Sequence, residues 1–262
     1  MGDTFRLGRI AGVSVGFHWS LIGVAVLIIL QLAGQVRVDG VAALLLATVG
    51  ALLFLGSVLL HELGHSVVAR REGLEVDGVS LWLLGGVARL KGLPATPGAE
   101  FRIAFAGPAM SGLLAIGFFA AGVAVDAADW SYSVGFVLRW LGLLNAILFV
   151  FNLLPAAPLD GGRLLKAALW RWWGDPLRAT IGAGRAGQAL GAVLLGLGVL
   201  QLLRFGASGV WTAMIGWFVL AGAGYEVGVA RDEQRRQGGG GLPSVVPGLP
   251  WPPPHDRDRT GS

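Results

Sequence analysis

The chain reads as an all-α polytopic membrane protein, with about six transmembrane helices and a small membrane-associated β element after the second. Three observations predict this. Apolar residues fill 54% of the 262 positions and charged residues only 14%, for a mean hydropathy of +0.67. Uncharged runs recur, each close to the ~20 residues that cross about 30 Å of hydrocarbon. The charges that remain gather in the short segments between those runs. Such a chain has lipid as its solvent rather than water.

The first run lies between Arg9 and Arg37, with no Asp, Glu, Lys or Arg inside it. It is too long for the apolar region of a signal peptide and no small-residue cleavage motif follows, so it is expected to stay as an anchor. The second run covers residues 40–61. After it, residues 75–93 are apolar but broken by Gly85 and Gly86 and flanked by charge. That pattern suits strands, and a small hairpin or re-entrant element is expected there, an ordinary loop being the competing reading. The other runs are residues 103–125, 140–159, 186–203 and 205–225. Glycines crowd residues 182–198; no strand precedes them and no Gly-Lys-Ser follows, so they read as helix-packing positions rather than a phosphate loop. Residues 237–262 are rich in Gly and Pro without hydrophobic periodicity. The chain therefore divides into a membrane-embedded domain, 1–236, and a disordered tail, 237–262.

Lys and Arg number 20 against 16 Asp and Glu, and the pI is near 10.3. A basic chain can bind nucleic acid, but here the cations lie in loops between spans, where they set orientation instead. If all six runs cross, every Lys and Arg except Arg37, Arg139 and Arg204 falls on the side of the N-terminus. Both termini are then expected in the cytoplasm, with the lipid bilayer and no nucleic acid as surroundings. The chain has no cysteine, which excludes disulfides, thiolate nucleophiles and thiolate metal ligands.

The strongest chemical signal is His61-Glu62-Leu63-Gly64-His65 at the end of the second run. On a helix, positions i and i+4 share a face, so both imidazoles can reach one ion at about 2.0–2.1 Å. Glu62 is then placed to accept a proton rather than to ligate. Counting back from Arg70 at about 1.5 Å per residue puts both histidines beneath the membrane surface. Ionisable groups at such depth are costly unless they face a polar cavity and carry a function.

A catalytic zinc site needs a third protein ligand and an open position. His18 and His255 are the only other histidines, one at the start of the first span and one in the tail. The best donor is Asp160, in Asn152-Leu153-Leu154-Pro155-Ala156-Ala157-Pro158-Leu159-Asp160-Gly161-Gly162-Arg163. Pro155 and Pro158 stop the fourth helix, and Gly161 and Gly162 relax the backbone, so the carboxylate can turn inward. The competing assignment is a cap for a helix that begins at Gly161. A zinc transporter would want further acidic or histidine sites along a path, and the spans offer only this cluster.

The pair of motifs, HELGH on one span and FNLLPAAPLDGGR at the end of a later one, resembles the site-2 protease family of intramembrane zinc metalloproteases. The resemblance implies one Zn2+ per chain held by His61, His65 and Asp160, with Glu62 as the catalytic glutamate. It implies transmembrane protein substrates, unwound locally before hydrolysis, and a multi-pass location in a prokaryotic cell membrane. Leu84-Gly85-Gly86-Val87 resembles the family's membrane-associated sheet, so Gly85 and Gly86 are expected to meet substrate by strand addition. Asn145 and Asn152 match asparagines of the fourth span whose amides could hold substrate backbone or orient a ligand, an interhelical hydrogen bond being the alternative for each. Phe17-His18-Trp19 resembles the family's histidine-containing start of the first span. Ser111 stands where the family usually has asparagine.

Overall fold

A computed structural model describes residues 4–10, 12–82 and 85–238. In chain order the elements are β1 (Thr4–Ile10), β2 (Val13–His18), α1 (Ser20–Ala33), α2 (Gly40–Arg71), β3 (Glu75–Trp82), β4 (Gly85–Lys91), α3 (Pro97–Ala127), α4 (Tyr132–Asn152), α5 (Asp160–Trp173), α6 (Pro176–Phe205) and α7 (Gly209–Gly238). A 3-10 turn, Gly206–Ser208, joins α6 to α7. Among the described residues, α2, α3, α4 and the stretch Pro176–Arg236 that holds α6 and α7 are long and apolar enough to cross a membrane. Each of the six apolar runs contains one helix, and the protein is a mostly helical bundle with a small sheet at one end.

The helices form where their signals stand. Thr96 starts α3 by accepting the Ala99 amide at 3.1 Å, with Pro97 as the first helical residue. Asp175 caps α6 through the amides of Leu177 and Arg178. Gly174, at φ 71°, closes α5 in the left-handed conformation that glycine adopts without strain. On α2 the buried positions Ala43, Ala47, Gly50, Ser57, His61 and His65 recur at one- or two-turn spacing and mark its inward face. Large apolar side chains such as Leu27, Leu45, Leu52, Ile116 and Leu203 stay exposed, the surface expected of a bundle meant for lipid.

The sheet is larger than its sequence signal. Its order is β1-β2-β3-β4, antiparallel at both hairpins and parallel where β2 meets β3 through Val15↔Val79 and Phe17↔Leu81. The first uncharged run is therefore split: residues 13–18 form β2, and the helix that follows has only 14 residues. Val13, Val15, Val79 and Leu81 bury one face of the sheet against Leu63, the central residue of the HELGH motif. Lys91 pins the sheet's rim by donating to Asp77 at 2.8 Å, which raises its pKa above the usual lysine value. A second addition is α5, an amphipathic helix between the fourth and fifth runs. Of the expected tail, Gln237 and Gly238 belong to α7, and residues 239–262 lie outside the described residues.

Candidate metal centre

Two imidazoles and one carboxylate meet inside the bundle. Both histidines are buried on the inward face of α2, and Asp160 is the first residue of α5. His61 Nε2 and His65 Nε2 lie 3.2 Å apart, and they stand 3.2 and 3.1 Å from the same Asp160 Oδ2. Ligand bonds of 2.0–2.1 Å at tetrahedral angles place neighbouring donor atoms about 3.3 Å apart, so these three atoms already form one face of such a site. Among the described residues this is the only group of three or more His, Asp or Glu with donor atoms close enough to hold an ion.

The opposite ring nitrogens are also engaged. His65 Nδ1 donates to the Ile103 carbonyl at 2.7 Å, and His61 Nδ1 lies 2.9 Å from the Ser111 hydroxyl. Tying Nδ1 to oxygen fixes the ring's rotation and leaves the Nε2 lone pair pointing inward, the arrangement that metal-binding histidines use. Both supports come from α3, and Ser111 is fully buried. The helix also makes room. A Cβ on Gly107 would sit 2.7 Å from His61 Nε2 and closer still to His65 Nε2. At Gly64 the Ala106 carbonyl would stand 2.9 Å from a Cβ, so α2 and α3 touch backbone to backbone at this level.

Asp160 reaches the histidines by close packing rather than by a flexible hinge. The helical cap of α5 is Leu159, which makes no side-chain cap bond, and the Asp160 carboxylate faces the imidazoles. A Cβ on Gly161 would fall 2.5 Å from the Leu153 carbonyl, and one on Gly162 2.5 Å from the Ala157 amide nitrogen. The two glycines therefore let the loop of residues 153–159 fold tightly over the start of α5. From the far side α6 and α7 clasp that loop, where Ala156, Leu159 and Val219 form a small core. Gly187 and Gly222 give it space against Ala157 and Pro158.

Glu62 lies beside the two histidines and under the sheet. The Gly86 backbone of β4 lies against its carboxylate: a Cβ on Gly86 would stand 2.8 Å from Glu62 Oε1. Gly85, at the start of β4, pairs with Trp82. Asn145 is fully buried; its amide nitrogen donates to the Leu141 carbonyl at 2.9 Å and to the Ser57 hydroxyl of α2 at 3.3 Å, while its Oδ1 has no partner. Asn152, half-buried at the end of α4, donates to the Leu148 carbonyl at 3.0 Å. At the start of α1, His18 Nδ1 lies 2.9 Å from the Ser20 hydroxyl and accepts the Ser20 amide at 3.3 Å, and His18 is not one of the clustered donors. Sequence reasoning missed Gly107 and the Ile103 carbonyl and gave Ser111 no role. Residues 103, 107 and 111 nevertheless share one helical face, and that spacing was readable.

Similarity to known proteins follows the same residues. The stretches 49–129 and 123–195 match peptidase family M50. Rip3 of Mycobacterium tuberculosis is 47% identical over 242 residues, which are 90% of this chain and 60% of Rip3. A zinc metalloprotease of Methanocaldococcus jannaschii is 35% identical over 203 residues, covering 77% of this chain and 56% of the relative. The chain thus spans 60% of the length of the first of these relatives. Among solved structures, the site-2 protease from Methanocaldococcus jannaschii superposes with a TM-score of 0.58 at 30% identity, over 86% of this chain and 95% of the other.

Proposed function

Because this chain belongs to peptidase family M50, the site-2 protease family, we propose that it is an intramembrane zinc metalloprotease that hydrolyses peptide bonds within or near the transmembrane segments of other membrane proteins. The observation that carries this reading is the meeting of His61, His65 and Asp160 within 3.2 Å of one another with Glu62 beside them. Two neutral imidazoles and one carboxylate suit zinc, and three protein ligands leave a position open for chemistry. When bound, zinc supplies Lewis acidity, polarising a carbonyl and making water a stronger acid.

The chain's own residues do the rest. Glu62 takes the proton of the attacking water and passes it to the leaving amine, with the backbone of Gly86 packed against its carboxylate. β4 is an edge strand, so an extended substrate segment pairs with it beside Glu62, and Gly85 and Gly86 admit that backbone without a clash. Asn152, half-buried at the end of α4, is the amide of this reading that holds substrate backbone, whereas Asn145, fully buried and bonded to Ser57 of α2, fits the interhelical hydrogen bond that was its alternative. A helical substrate hides its carbonyls in hydrogen bonds, so segments that unwind easily are preferred. In this reading the protein is a multi-pass component of a prokaryotic cell membrane with both termini cytoplasmic; the charge distribution supports the orientation, and bacterial and archaeal relatives support the setting.

The test is Glu62→Gln, since an amide cannot accept the proton and is not a ligand. The variant is expected to keep one zinc per chain while the cleaved fragments seen with wild-type protein disappear from the membrane proteome. Fragments produced at wild-type levels would overturn the proposal.

A further inference from the structure

We infer that α3, which donates no ligand, is the scaffold that orients the metal centre, and that Glu100 is a positioning residue for Asp160. Glu100 sits in the first turn of α3 with only 2% of its surface exposed. A carboxylate is costly to bury, and a helix N-terminus can hold one at the surface, so burial here needs another reason. Its partners supply it. Arg163 Nε donates to Oε1 at 2.9 Å and Lys166 Nζ to Oε2 at 3.5 Å, both from α5. Across a cavity of about 190 Å³ that Arg163 and Lys166 also line, Glu226 of α7 and Thr180 of α6 face the same two cations.

Arg163 lies three residues after Asp160, on the same side of α5. A helix rotates by about 100° per residue, so holding Arg163 against α3 fixes the roll of α5 and with it the direction of the Asp160 carboxylate. Other residues of the same stripe complete the pattern. Positions 100, 103, 107 and 111 follow one another at helical spacing. Ile103 holds His65, Gly107 leaves space for both rings, Ser111 holds His61, and Glu100 holds the helix of Asp160. A buried ion pair often adds little stability over an apolar one of similar volume, which favours a geometric role for this one.

This inference rests on the metal-centre reading, and its test separates the two. Wild type, Glu100→Gln and Arg163→Lys are purified in detergent and titrated with Co2+ in place of zinc, with the visible absorption spectrum reporting donor geometry. Gly198→Ala, whose methyl would press within 2.7 Å of Ala213 Cβ in the distant α6–α7 contact, controls for general destabilisation. Wild type is expected to bind one Co2+. Glu100→Gln should bind it roughly 10- to 100-fold more weakly with an altered spectrum, and Arg163→Lys should shift both in the same direction by less. The control should melt earlier and keep the wild-type spectrum. Wild-type affinity and spectrum in Glu100→Gln would overturn the role of Glu100, and so would a control that shifts both as far. If Glu100→Gln does not accumulate as folded protein, Arg163→Lys decides by the same criterion. Absence of Co2+ binding in wild type would instead remove the metal-centre reading beneath it.

Discussion

Gly107→Ala adds one methyl group at the narrowest point of the centre. The new carbon would lie 2.7 Å from His61 Nε2 and 2.6 Å from His65 Cε1, and nearer still to His65 Nε2. Ordinary contact between such atoms begins at about 3.5 Å, so the rings must retreat by about 1 Å or the helices must part by as much. Metal sites tolerate displacements of only about 0.2 Å. Neither ring can retreat freely, because Nδ1 of each is already engaged by α3. The substitution should therefore abolish zinc binding, not merely weaken it. Folding should survive, since alanine is the better helix former by about 1 kcal/mol. Zinc content by elemental analysis, beside circular dichroism and a melting curve in detergent, checks this. A folded Gly107→Ala protein that carries one zinc would refute the geometry given for α3.

Asp160→Asn should lower zinc occupancy and proteolysis together, because the amide removes the charge that offsets the ion; if the side chain served only as a helix cap, asparagine would be almost silent. Ser111→Ala should weaken zinc binding by roughly 10- to 100-fold, read by chelator competition, and unchanged affinity would show that the Ile103 carbonyl and packing suffice. Gly86→Ala should keep zinc but cut kcat, because its methyl and the Glu62 carboxylate cannot share their present positions. Full turnover in that variant would place β4 away from Glu62 during catalysis.

How much of this could be read from the sequence depends on the kind of signal each part leaves. His61, Glu62 and His65 announce themselves because ionisable residues at helical spacing are expensive in an apolar run. Asp160 was legible through its neighbours, although the reason given for the glycines changes: they permit close approach of the loop rather than freedom of the backbone. The strand β2 was hidden because Val13, Val15 and Phe17 continue without charge into α1, and an apolar alternation that abuts a span looks like more span. α5 escaped because a search for uncharged runs passes over a helix carrying Arg163, Lys166 and Arg171. The 103, 107 and 111 spacing was readable as one helical face, but nothing in the residue type of Ile103 marks its backbone carbonyl as the partner of His65. Glu100 at the edge of an apolar run looks like an ordinary boundary charge until its burial is seen.

The parallel pairing of β2 with β3 governs how the protein comes to exist. Those strands flank α1 and α2 in the sequence, so they can pair only when the two helices have folded back against each other. Neither hairpin can complete the sheet during translation of its own segment. The N-terminal strands must wait, and the four-stranded sheet over Glu62 is complete only after the first pair of helices has formed. Folding order is thereby coupled to the site: a chain halted before β3 and β4 has no sheet over Glu62.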